Sequence, residues 1–283
     1  MHRLARYCLM AQIVLAPVLL GGARPWAMAV LSVLTGIGIL AICLTPTRPK
    51  PHRYLGPIWL IVAALAAWTL LQSLPIWPMQ DAPFNAPRIA LYPNAWISMT
   101  GNLIWFAGSI TLASMVAQSR PYRFVGDIAK VIITSCAVQV CLAVFAATLG
   151  LETTFWFAKN AHLSDWTGSF ANRNAFAGFM GIGIVASLYL FANTTARTTG
   201  KRLDQSGGML ALAIIFAASL IQSRSRSGIA LCILASLFFI VLNAPSTNII
   251  KRLLWAGGNA IGRAGVCTPV TSRPRMPSSA GDK

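Results

Sequence analysis

Acidic residues are almost missing from this chain. Of 283 residues six are Asp or Glu, against 23 Lys and Arg, and charged residues of both signs make up only 10%. A soluble domain of this length carries about a quarter charged residues, so a water-facing globule is excluded. Histidine is also scarce, with His2, His52 and His162 far apart in the chain. The cysteines show no metal-ligand spacing. Cys8, Cys43, Cys136, Cys141 and Cys232 fall in or beside apolar runs and read as small membrane residues rather than a disulfide set, while Cys267 lies near the C-terminus. With no metal-like cluster, the sequence offers no metal site and calls for no cofactor. No internal repeat and no soluble domain is visible.

What the chain has in abundance is apolar length. It is 56% hydrophobic, with a mean hydropathy of +0.64. Only a bilayer, or a very large core, buries that much apolar surface, and the runs are long enough for a bilayer. The fold class is all-α, a polytopic transmembrane helical bundle. We expect about eight spans, at 8–23, 26–44, 56–76, 96–118, 125–149, 174–193, 208–223 and 228–244. Residues 1–244 form the membrane-embedded domain. Residues 245–283, rich in Pro, Ser, Arg and Gly, read as a polar, disordered tail. The first run resembles a signal peptide, but a second span follows at once, so it is taken as a retained helix.

The formal charge of +17 would point to nucleic acid in a soluble protein. Here basic residues cluster in short loops and anchor spans, so membrane lipids are the expected partner and nucleic acid is not. The positive-inside rule sets the orientation. With the N-terminus in the cytoplasm, the inside segments hold Arg3, Arg6, Arg48, Lys50, Arg53, Arg120, Arg123, Lys130, Arg197, Lys201, Arg202, Lys251 and Arg252. The outside segments hold only Arg24, Arg88, Lys159, Arg173, Arg224 and Arg226. In a bacterial inner membrane, the outside would face the periplasm.

Arg224 and Arg226 break this pattern. They lie in "IIFAASLIQSRSRSGIALCILASLFFI", at the tip of a tight hairpin on the side that should be poor in positive charge. An arginine at the bilayer centre costs roughly 2.5–3.5 kcal/mol, and less at the rim, where it snorkels. Two at one tip call for an anionic partner. In this topology four helices begin outside, each near an arginine: Arg24 with Pro25, Arg88, Arg173, and the Arg224–Arg226 pair. Helix starts carry unpaired N–H groups and a partial positive charge, and they bind phosphate. Asn172 or Asn174, and Ser225 or Ser227, are residue types that cap such starts. If several starts converge, a cationic bowl forms at the level of lipid phosphates and suits a diphosphate on a long lipid tail. For Arg24 and Arg88 alone, ordinary snorkelling is the simpler reading.

Three stretches, "LLGGARPW" (19–26), "TGSFANRNAFAGFM" (167–180) and "SRSRSGIALCILA" (223–235), occur in an order that resembles the O-antigen ligase and O-antigen polymerase family. The resemblance covers about 1–244. It implies a periplasm-facing glycosyltransferase that takes a glycan from undecaprenyl diphosphate and passes it to a lipid or glycan acceptor. It implies that Arg224, Arg226, Arg173, Asn172, Asn174 and Arg24 bind the diphosphate, without metal. The family continues into a periplasmic loop that bears a histidine as general base. His162 does not match that position, so the chain reads as C-terminally truncated and its catalytic residues stay unassigned. Glu152 and Asp165 are also outside, and nothing in the sequence singles out either as a base. Two alternatives stand beside the enzyme: a non-catalytic protein that binds or transports a lipid-linked anion, and a remnant without function. Transporters place polar residues near the midplane, and here they gather at the outer rim.

Overall fold

In a bilayer no water satisfies backbone N–H and C=O groups, so each crossing segment must bond within itself as a helix. A computed structural model of the chain describes residues 2–19, 24–45, 52–75, 94–119, 121–151, 153–154, 157–158, 165–195 and 203–243. Among these are eight helices: α1 (His2–Val18), α2 (Pro25–Cys43), α3 (Leu55–Ser73), α4 (Ala95–Ser119), α5 (Pro121–Thr148), α6 (Arg173–Thr195), α7 (Leu203–Gln222) and α8 (Arg226–Asn243). Five of them, α2 to α6, contain stretches long and apolar enough to cross a membrane. In α7 and α8 the apolar stretches are the shorter Gly207–Gln222 and Arg226–Leu242. The chain divides into two compact units, 1–236 and 237–283. The site described below lies in the first.

Each expected span falls on one helix. The largest offset is at the first, expected at 8–23 and found at His2–Val18. Hydropathy marks where the chain is apolar, whereas the helix runs on through Arg3 and Arg6. Arg6 pairs with Asp127 of α5 at 3.7 Å. The all-α architecture holds, with one two-residue ladder beside the helices. Between α5 and α6, β1 (Thr153–Thr154) pairs antiparallel with β2 (Phe157–Ala158). The expected tail at 245–283 and the residues Arg88, Glu152, Lys159 and His162 lie outside the described residues, as do several of the basic residues assigned to the inside segments.

Two apolar clusters hold the first unit together. One joins α1, α2 and α4 through Ala5, Leu9, Ala41, Ile42, Leu112 and Val116. The other centres on α5, α6 and α7, with Ile133, Cys136, Phe176, Met180, Phe216 and Leu220. Between helices in a membrane, polar side chains add hydrogen-bond glue worth about 1 kcal/mol apiece. Gln12 Oε1 accepts bonds from Thr35 Oγ1 at 3.1 Å and Ser109 Oγ at 3.0 Å, tying α1, α2 and α4. Pro17, buried near the end of α1, has no N–H to give the carbonyl four residues back. That carbonyl, on Ile13, accepts instead from Ser135 Oγ of α5 at 3.2 Å. A proline that interrupts the helix ladder thus supplies a bond between helices.

Candidate functional site

The site forms where α6 and α8 begin. The connection leading into α6, residues 165–172, dips beside α5 rather than passing over its end. Ser169 N–H donates to Gln139 Oε1 at 3.0 Å, and Ser169 Oγ donates to the Pro17 carbonyl at 2.6 Å. Gln139 lies nine residues before the end of α5, which sinks the connection by about 13 Å of helix. Gly168 makes this possible. Its φ is +54°, and a Cβ placed there would stand 2.6 Å from Gln139 Oε1 and 3.0 Å from the Gln139 carbonyl oxygen. Only glycine meets both demands. Trp166 N–H then donates to the Gln222 carbonyl at 3.4 Å, satisfying one of the open acceptors at the end of α7.

Two helix starts meet at this level. Asn172 caps α6: its Oδ1 accepts the Asn174 N–H at 2.8 Å. Ser225 caps α8: its Oγ accepts the Gly228 N–H at 3.1 Å. The two caps are linked, because Ser225 Oγ also donates to Asn174 Oδ1 at 2.8 Å. A Cβ on Gly228 would collide with that of Ala177, so glycine lets the first turns of α8 and α6 come this close. Both asparagines of the Asn-Arg-Asn element therefore hold the site together, one as cap and one as crosslink.

The charges gather on Asp165, which is 4% exposed. Arg173 Nη1 donates to Asp165 Oδ2 at 2.9 Å, and Arg224 Nε lies 3.7 Å from Asp165 Oδ1. Arg226 is the first residue of α8 and is exposed. Two arginines therefore face one buried carboxylate, and a third, Arg226, stands exposed at the start of α8. Arg224 also has φ +52°. It occupies the left-handed position just past the end of α7, where helices favour glycine, and its N–H donates to the Ile221 carbonyl at 3.0 Å. A side chain there costs about 1–2 kcal/mol.

Arg24 is placed elsewhere. It precedes α2, with Pro25 in the first turn and no side-chain cap bond. It lines a cavity of about 430 Å³ with Pro25, Met28, Ala29 and Ser32 of α2 and Ser98, Gly101 and Asn102 of α4. The structure thus unites Arg173, Asn172, Asn174, Arg224 and Ser225 in one bonded cluster with Arg226 beside it, and gives Arg24 its own cavity.

Sequence reasoning expected an external anion to balance Arg173 and Arg224, and missed that both already face Asp165. It also missed the framework residues Gln139, Ser169 and Gly168. Asp165 carried one usable signal. It is one of only six acidic residues in the chain and lies eight positions before Arg173.

Fold and site together define a multi-pass helical membrane protein with a recessed, arginine-rich cluster at one end of the bundle. Comparison with known proteins finds no family model that matches the chain, no similar curated protein and no similar solved structure.

Proposed function

We propose that the chain binds a lipid-linked diphosphate at the cluster where α6 and α8 begin, on the periplasmic side of a bacterial inner membrane. We further propose that it transfers the attached glycan to an acceptor, as the O-antigen ligases and polymerases it resembles do. The observation that carries this reading is Arg224. Its backbone is left-handed, where glycine is favoured, and its side chain is 66% exposed. A strained, exposed cation beside two helix starts has a function as its simplest reason. In the transfer, an acceptor hydroxyl attacks the anomeric carbon, the bond from that carbon to the diphosphate oxygen breaks, and the lipid diphosphate leaves with both electrons of that bond. Arg224 and Arg226, with Arg173 behind them, stabilise the charge that grows on the departing oxygen. Asp165 is buried and engaged by two arginines as their counter-ion, so the acceptor's proton passes to water or to an oxygen of the departing diphosphate.

One observation favours a second reading. Arg173 and Arg224 already have an internal carboxylate, as a non-catalytic protein that binds or carries a lipid-linked anion would also need. One experiment separates the two. The full chain in phosphatidylcholine nanodiscs is titrated with undecaprenyl diphosphate and with undecaprenol, then given a glycan-bearing donor and an acceptor. At least tenfold preference for the diphosphate, followed by its release from the donor, is the expected result. Preference without release assigns the non-catalytic role, and equal affinity for undecaprenol overturns both.

A further inference from the structure

Asp165 is the odd group in this site. An anion-binding site gains nothing from a buried negative charge that competes for its own guanidinium groups, unless that charge has a task while the site is empty. The geometry of the carboxylate is unequal. Toward Arg173 it makes a 2.9 Å hydrogen bond, and that arginine's side chain is only 31% exposed. Toward Arg224 the separation is 3.7 Å, within ion-pair range but beyond a hydrogen bond, and that side chain is 66% exposed. The first pair is tight and shielded, and the second is loose and screened by solvent.

We propose that Asp165 is a built-in counter-ion that orients Arg173 and Arg224 in the empty protein and yields Arg224, but not Arg173, to an incoming diphosphate. This rests on the functional reading above and adds a positioning residue to it. The surroundings favour such an exchange. The backbone around Asp165 is tied down by Trp166 N–H on the Gln222 carbonyl and by Ser169 on Gln139 and Pro17, so the carboxylate cannot follow Arg224 outward. The left-handed backbone of Arg224 fixes where its long side chain departs. No covalent bond changes. One anionic partner replaces another, and the Asp165–Arg173 pair keeps the buried carboxylate neutralised throughout.

The test uses the full chain in phosphatidylcholine nanodiscs, with farnesyl diphosphate as probe and farnesol as blank. Asp165→Asn removes the internal competitor and is expected to bind the probe about fivefold more tightly than wild type. In an Arg224→Gln background the same change is expected to move Kd by less than twofold. Weaker or unchanged probe binding by Asp165→Asn with Arg224 present overturns the counter-ion role. Should Asp165→Asn fail to fold, wild-type protein labelled with ¹⁵N at arginine Nε gives the answer: saturating probe is expected to shift the Arg224 resonance and leave that of Arg173. Movement of both, or of neither, overturns the proposal. A wild type that binds farnesyl diphosphate no better than farnesol sinks the functional reading as well. A wild type that prefers the diphosphate, with an Asn variant no tighter, sinks only the role of Asp165.

Discussion

Two pairs of helix starts in this molecule look alike in sequence and differ in structure. At α6 and α8 the space is filled. Asn172, Asn174 and Ser225 bond the two starts together, and Asp165 sits beneath them against two arginines. At α2 and α4 the space is open. Arg24 makes no side-chain cap bond, and a cavity of about 430 Å³ remains. Both places read as "arginine near a helix start". The difference is the buried acid. Where the chain supplies its own counter-ion, part of the positive charge at two adjoining helix starts is offset. At α2 and α4 a cavity lined by Arg24 lies between the two helices.

This contrast can be broken or sharpened by substitution. The largest effect is expected from Asp165→Ala, which leaves Arg173 without its bonded carboxylate. It should destabilise the protein by about 3 kcal/mol, read as a lower midpoint in reversible unfolding in mixed micelles. An equal loss from Arg24→Ala would erase the distinction between the two places. Gly168→Ala comes next. It forces a Cβ into a left-handed backbone and against Gln139, and should cost about 2 kcal/mol in the same assay. Ser225→Ala removes the α8 cap and the link to Asn174, for a loss of about 1 kcal/mol. The smallest effect has the opposite sign. Nothing lies within 4 Å of a Cβ on Gly101, in the cavity wall, so Gly101→Ala should raise stability by about 0.5 kcal/mol through helix propensity.

Much of the fold was legible in the sequence, and for one reason. Backbone bonding in a bilayer leaves an apolar run few options, so α2 through α8 fall close to the expected spans. The helix caps were legible too. Asn and Ser were read as cap types, and Asn172 and Ser225 serve as caps. What could not be read were contacts between distant segments. Gln139 meets Ser169 across thirty positions, and Ser135 meets the Ile13 carbonyl across more than a hundred. No local pattern encodes such pairs. Gly168 could be noted in "TGSF", yet its positive φ matters only because α5 passes so close. Asp165 escapes a periodic reading because it lies in the irregular connection before α6, where no helix or strand spacing applies. The link is made by a turn.

Arg224 condenses the whole comparison into one residue. Arg224→Gly relieves the left-handed backbone and gives up the loose ion pair, so stability should change by less than about 1 kcal/mol. Anion binding, by contrast, should largely disappear. The central claim is that the filled site, and not the open cavity, holds the diphosphate. It is tested most directly by titrating farnesyl diphosphate into nanodisc-embedded wild type, Arg226→Gln and Arg24→Gln side by side. The expected result is at least tenfold weaker binding for Arg226→Gln and less than twofold for Arg24→Gln. The reverse order, with Arg24→Gln crippled and Arg226→Gln unaffected, would contradict it.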